Sequence, residues 1–207
     1  VVVAMLAENI AVNGSDMTVF TTTANGAQEL DVETGVEIDV DGVRTFYYPR
    51  LTGDHTHVSP ALWWAIWKRV REFDVVSIHS WWSPATVISA LVCRLRGVRP
   101  VVTPHGMFCN YVLTRRNGFA KKLIHHLLGR WILKGCAFIA TSPNERKEIA
   151  GLFPDARIAV LHNLVRLPEK SFSHRRNDLF TIGFLSRIQD KKGLEFLFDA
   201  LALVDFH

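Results

Sequence analysis

The chain has 207 residues, 48% of them apolar and 21% charged, with a net charge of +4 and a mean hydropathy of +0.12. This is a globular composition, long enough for one large domain or one and a half, and no apolar run approaches the roughly 18 residues that would span a bilayer as a helix. Cys93, Cys109 and Cys136 make an odd count without a C-x-x-C pair, which argues against a disulfide framework and fits buried free thiols in a reducing cytoplasm.

In chain order, residues 1–12 carry a helical pattern of Val1, Met5, Leu6, Asn9 and Val12 that Gly14 stops. No capping residue precedes it, so the chain is expected to open inside a helix. Residues 17–22 are a short β-rich run. Residues 36–40 and 43–47 flank Asp41-Gly42, a strong hairpin signal. Ser59-Pro60 opens a helix reaching residue 73, with serine as N-cap, proline at the first helical position and Leu62, Ile66, Val70 and Phe73 as the buried stripe. A buried strand is expected over residues 75–79. Ser83-Pro84 opens the next helix, which Gly97 ends, and the strand over residues 100–103 stops at Pro104-His105-Gly106. A helix over residues 119–134, a strand over 137–141, a helix opened by the capping box Ser142-Pro143-Asn144-Glu145 and a strand over 158–161 continue the series.

Short apolar strands alternating with helices predict an α/β fold: a Rossmann-like, doubly wound parallel sheet covered on both faces. Ligands in such folds sit at the carboxyl ends of the strands. His79, Thr103 to Gly106, Thr141-Ser142 and His162-Asn163 fall there. Residues 164–178 turn polar and irregular, as an interdomain linker does. Beyond them a strand is expected over residues 180–186, then the basic run Arg187-Ile188-Gln189-Asp190-Lys191-Lys192-Gly193, then a helix over 194–204. A basic loop between strand and helix is a phosphate cradle: Arg187 offers a planar fork, Lys192 a point charge, and Gly193 a close backbone approach. An ordinary exposed basic turn is the plainer alternative.

Charge is unevenly spread. Residues 1–43 hold eight acids and no Lys or Arg, whereas residues 75–144 hold nine bases and no acid. A one-sign segment recruits anions, or is simply a solvated face. Trp63, Trp64 and Trp67 share a helix with this segment's approach, and Trp81 and Trp82 follow a strand; they suit either packing or an interfacial site for a lipid-linked anionic acceptor. His55 and His57 form an H-x-H pair without a third ligand at metal spacing, and no nucleic-acid-binding pattern is present.

Five ordered segments resemble those of the family 4 retaining glycosyltransferases, which have the GT-B architecture. Residues 74–80 are similar to the strand "D-V-V-x-x-H", 101–106 to the strand end "T-x-H-G", 140–148 to the junction "A-T-S-x-x-E", and 158–165 to "V-x-x-N-G-V". The Ser186-Arg187 to Gly193 run resembles the signature Gly/Ser-Arg-x₄-Lys-Gly. The resemblance implies an N-terminal acceptor-side domain over residues 1–165, a linker over 166–178, and the first β-α unit of a nucleotide-sugar-binding domain over 179–207. It implies a hexosyltransferase moving a sugar from a nucleotide-diphosphate sugar to a saccharide or lipid-linked acceptor with retention, in polysaccharide or cell-envelope synthesis, with no cofactor and no metal. Arg187, Lys192 and Gly193 would hold the donor diphosphate and His105 would face the transferred sugar as the catalytic residue. His79, Ser142 and Asn163 are acceptor- or donor-side candidates, with Ser142 also read as an N-cap and His105 also read as a satisfied core histidine. A cytoplasmic location is expected, with peripheral contact at an anionic membrane face and no nucleic-acid partner. The chain departs from the family pattern in lacking the opening strand with its Gly-Gly loop, in lacking the later E-x₇-E pair, and in carrying Leu164 where glycine is usual. It is therefore expected to be a fragment, inactive alone. A non-catalytic sugar- or membrane-interaction module with a degenerate site is the alternative. A nicotinamide-dependent sugar-nucleotide epimerase is a third reading, weakened by the missing G-x-G-x-x-G.

Overall fold

The computed structural model describes residues 2–54, 56–109, 129–167, 181–186, 188 and 192–204. The chain divides into two compact units, Val1–Arg166 and Leu167–His207.

The first unit opens with helix α1 (Val2–Val12), which ends at Gly14 in the left-handed region. Strands β1 (Thr18–Thr22), β2 (Ala24–Asn25), β3 (Gln28–Glu29), β4 (Glu37–Val40) and β5 (Val43–Tyr48) follow. β5 is central in a three-stranded sheet, parallel to β1 and antiparallel to β4, while β2 and β3 form a small ribbon. Asp41 and Gly42 take φ of +51° and +78°, the left-handed pair that a two-residue hairpin turn demands.

Helix α2 (Pro60–Arg69) is capped by Ser59, whose Oγ accepts from the Leu62 N–H at 3.3 Å. It tightens into a 3₁₀ turn at Val70–Glu72 rather than running on as α-helix to residue 73, yet Leu62 and Val70 are buried as their spacing predicts. Then come β6 (Ser77–His79), α3 (Pro84–Leu95), β7 (Val101–Thr103), α4 (Arg130–Leu133), β8 (Ala137–Ala140), α5 (Pro143–Leu152) and β9 (Arg157–Val160). β6, β7, β8 and β9 lie side by side in that order, all parallel. One transverse row, Ile78, Val102, Phe138 and Ile158, crosses all four strands in register. Val102, Phe138, Ala90 of α3 and Ile149 of α5 are fully buried around it. Burying one such large side chain contributes about 1.5–3 kcal/mol, so this row and its helices form the larger core. The fold is α/β and Rossmann-like.

The strand expected over 75–79 begins only at Ser77, because Val75 is still in the connection from the 3₁₀ turn and is 70% exposed. Most of the helix expected over 119–134 lies outside the described residues; its end is α4. Trp81 is buried in the core, while Trp63 and Trp82 are half-buried with their indole N–H groups donating to the carbonyls of Ala85 and Met107. Trp64 is exposed, and Trp67 stands at the surface. No described helix is long and apolar enough to cross a membrane.

In the second unit, helix α6 (Leu194–Ala202) starts at Gly193, which takes φ of +64°. That left-handed backbone favours glycine, and a Cβ there would lie 3.1 Å from the Phe196 ring. The strand expected over 180–186 is not formed in its described part, residues 181–186. No described strand lies beside it, and a strand without a neighbour leaves its backbone groups unpaired.

Candidate functional site

Parallel strands in register bring their carboxyl ends to one edge of the sheet. At that edge His79 of β6, Thr103 at the end of β7 and His105 beyond it, Thr141 beyond β8, and His162 and Asn163 beyond β9 surround a small recess of about 20 Å³, with Val2 and Leu6 of α1 completing its wall. The chain turns sharply as it leaves two of these strands. Ser80 has φ of +74°, His105 +53° and Gly106 +75°. Left-handed backbone costs a non-glycine residue roughly 1–2 kcal/mol, so the conformations at Ser80 and His105 persist because neighbouring contacts impose them. The Ser80 N–H donates to the Thr103 carbonyl, and the Ser80 hydroxyl and Trp81 N–H both reach the Met107 sulfur.

His79 and His105 meet in the recess. His79 Nδ1 and His105 Nε2 are 3.1 Å apart, with the rings stacked at 5.4 Å between centroids. His79 Nε2 is 3.2 Å from the Ser77 hydroxyl. A single proton lies between the two imidazoles, so one is donor and the other acceptor, and the acceptor ring at least is neutral. Burial pushes His79 down to about 4, and the neighbouring His105 adds to the effect. Burial also lowers His105, partly offset by the Glu145 carboxylate. Both rings are therefore neutral at pH 7, suited to hydrogen bonding with uncharged hydroxyls rather than to ion pairing.

Glu145, read from sequence as the capping-box partner of Ser142, does something else with its carboxylate. Its N–H donates to the Ser142 Oγ at 3.1 Å, so Ser142 is the N-cap of α5. The expected reciprocal half of the capping box is absent: the Glu145 carboxylate turns away from the Ser142 backbone into the strand ends. Oε1 accepts from the Gly106 N–H at 2.5 Å, and Oε2 accepts from the Thr141 N–H at 2.6 Å and from the Thr141 hydroxyl at 2.7 Å. The residue is 3% exposed. A signal was present in the spacing: Glu145, Ile149 and Leu152 recur at helical intervals, placing a carboxylate on the stripe that faces the core. His162 Nδ1, in turn, donates to the Thr141 carbonyl at 3.0 Å.

Of the residues singled out from sequence, His79, His105 and Asn163 share the recess, and Ser142 caps the adjoining helix outside its lining. Lys192, exposed, and Gly193 belong to the second unit. Arg187 and His55 lie outside the described residues. Among the described residues no cluster of three His, Cys, Asp or Glu side chains is arranged to hold a metal. A family model described as Glycosyltransferase Family 4 matches residues 1–168. No curated protein and no solved structure matches the chain.

Proposed function

The chain belongs to glycosyltransferase family 4, and from that premise we propose that it serves retaining transfer of a sugar from a nucleotide-diphosphate donor to a saccharide or lipid-linked acceptor, in polysaccharide or cell-envelope synthesis and without a metal ion. In that reaction the bond from the anomeric carbon to the diphosphate oxygen breaks. A bond to the acceptor oxygen forms on the same face, and the acceptor proton leaves with the diphosphate. The observation that carries this reading is the neutral His79–His105 pair at the carboxyl edge of a Rossmann-like sheet, on the segments that match the family pattern. His105 is the group we place beside the transferred sugar, as a hydrogen-bond partner for a hydroxyl. Asn163 shares its recess. We place the donor diphosphate on Arg187, Lys192 and Gly193: two cations neutralise a diphosphate leaving group without a metal. Residues 166–178 are the linker in this reading, and residues 179–207 open the donor-binding domain.

Calorimetry with UDP and GDP on the full-length protein tests the donor site. Arg187→Ala and Lys192→Ala are each expected to weaken binding at least tenfold, since a charge-assisted contact to phosphate is worth about 1.5–3 kcal/mol. Unchanged affinity in both variants removes the phosphate assignment.

One observation favours a second reading, a membrane-interaction module. The chain enters β7 and β8 from the sheet edge opposite the recess, and there the C-terminal end of α3 brings cations over indoles of α2 and α4. Arg96 stands 5.1 Å over Trp67 and Arg94 5.2 Å over Trp131, with Leu95 exposed between the two arginines. Exposed tryptophans beside arginines that have no acidic partner among the described residues suit an anionic lipid surface. The protein is expected to sediment with phosphatidylglycerol vesicles, not with phosphatidylcholine alone, and Arg94→Glu/Arg96→Glu is expected to abolish this. Vesicle binding without any nucleoside-diphosphate affinity supports the module over the enzyme.

A further inference from the structure

We propose that Glu145 is a positioning residue that sets the His105–Gly106 turn and ties the ends of β7, β8 and β9 into one recess. The inference rests on the reading of His105 as the group beside the transferred sugar, but its evidence is geometric. A buried carboxylate is costly unless its lone pairs are occupied. Here one oxygen takes the Gly106 N–H and the other takes the backbone and hydroxyl protons of Thr141. Gly106 follows the turn residue His105 directly, so the first of these bonds fixes where the imidazole starts from. Thr141 passes the constraint on, because its carbonyl accepts from His162 Nδ1. The ends of β7 and β8 are thus held by one side chain, and His162 ties the end of β9 to them through the Thr141 carbonyl.

A helix cap would need none of this. Ser142 supplies the cap by accepting the Glu145 N–H, and it leaves the Glu145 carboxylate free to point inward. A cap also needs no full negative charge buried beside a histidine. The carboxylate's charge bears on His105, holding its proton affinity up against burial. The carboxylate thus places the imidazole and opposes part of the effect of its burial.

Glutamine at this position keeps one acceptor but turns an N–H₂ toward the other donor, so it satisfies one of the two strand ends only. In the full-length protein, Glu145→Gln is expected to remain folded by circular dichroism. Amide hydrogen exchange at Gly106 or Thr141 should accelerate at least tenfold, and the His105 titration followed by NMR should move to lower pH. Glu148→Gln, which removes a neighbouring acid from the same helix without touching the strand ends, is expected to leave both amides and the Gly106 exchange rate as in the wild type. Wild-type exchange at Gly106 and Thr141 together with an unmoved His105 titration in folded Glu145→Gln overturns the proposal. Glu145→Ala, if it folds, should show both effects more strongly. A transfer assay separates the two readings: shifted amides and titration with undiminished transfer sustain the positioning role and overturn the placement of His105 at the reaction centre.

Discussion

Replacing Phe108 by alanine is expected to destabilise the first unit by about 3–5 kcal/mol, the range for a large aromatic deleted from a core that collapses incompletely. Phe108 is 2% exposed. Its ring meets those of Trp81, Trp82, Phe138 and Phe153 at centroid distances of 6.0–6.4 Å. It therefore joins the interior of the β-sheet to the segment leaving β6, and it stands two residues beyond the Gly106 turn. Removing it strips contacts from four aromatic partners at once. Urea denaturation followed by fluorescence measures the effect as a lower midpoint at constant slope. Phe108→Leu, which keeps most of the volume, should cost about 1–2 kcal/mol. Leu95→Ala, at a surface position, should fall within about 0.5 kcal/mol of the wild type. A Phe108→Ala loss below about 1 kcal/mol would show that the ring cluster is not a cooperative part of the core.

Local chemistry made much of this fold legible. The serine-proline pairs at Ser59, Ser83 and Ser142 each mark a helix start, and in each the serine Oγ accepts a backbone N–H from the first turn. Asp41-Gly42 encodes its hairpin because few other pairs accept two left-handed residues in succession. The site was legible only as an edge. Strand ends can be read along the chain, but the contact between His79 and His105 depends on β6 and β7 being neighbours in register, with His79 level with Thr103. That is a property of strand order, and no local pattern states it. Glu145 was hidden for a different reason. The spacing Ser-x-x-Glu satisfies capping-box grammar whichever way the carboxylate turns, and the donors that draw it inward, Gly106 and Thr141, belong to two other elements. The strand expected over 180–186 failed where pairing, not composition, decides. Its residues are apolar enough, but a strand is stabilised by its neighbours.

His105→Ala is expected to lower the rate of sugar transfer by about 10²–10³-fold in the full-length protein, the scale for losing a positioned hydrogen-bonding group at a reaction centre, with a smaller change in donor KM. Two effects are mixed in that variant. Alanine loses the imidazole, and it must also take φ of +53°, which asparagine tolerates better. His105→Asn relieves the backbone cost and keeps a short polar side chain, so a partial recovery over alanine measures the strain and the remaining deficit measures the imidazole. The pH profile gives an independent reading. An exposed histidine loses its neutral form as pH falls through about 6.5. Burial lowers the proton affinity of His105 and brings its partner His79 to about 4, so the neutral bonded pair persists below that point. Transfer should accordingly stay level as the pH falls through 6.5 and decline only below it. A decline centred at 6.5 would mean that the pair opens to solvent during turnover. A rate and profile unchanged by His105→Ala would mean that the imidazole takes no part in transfer.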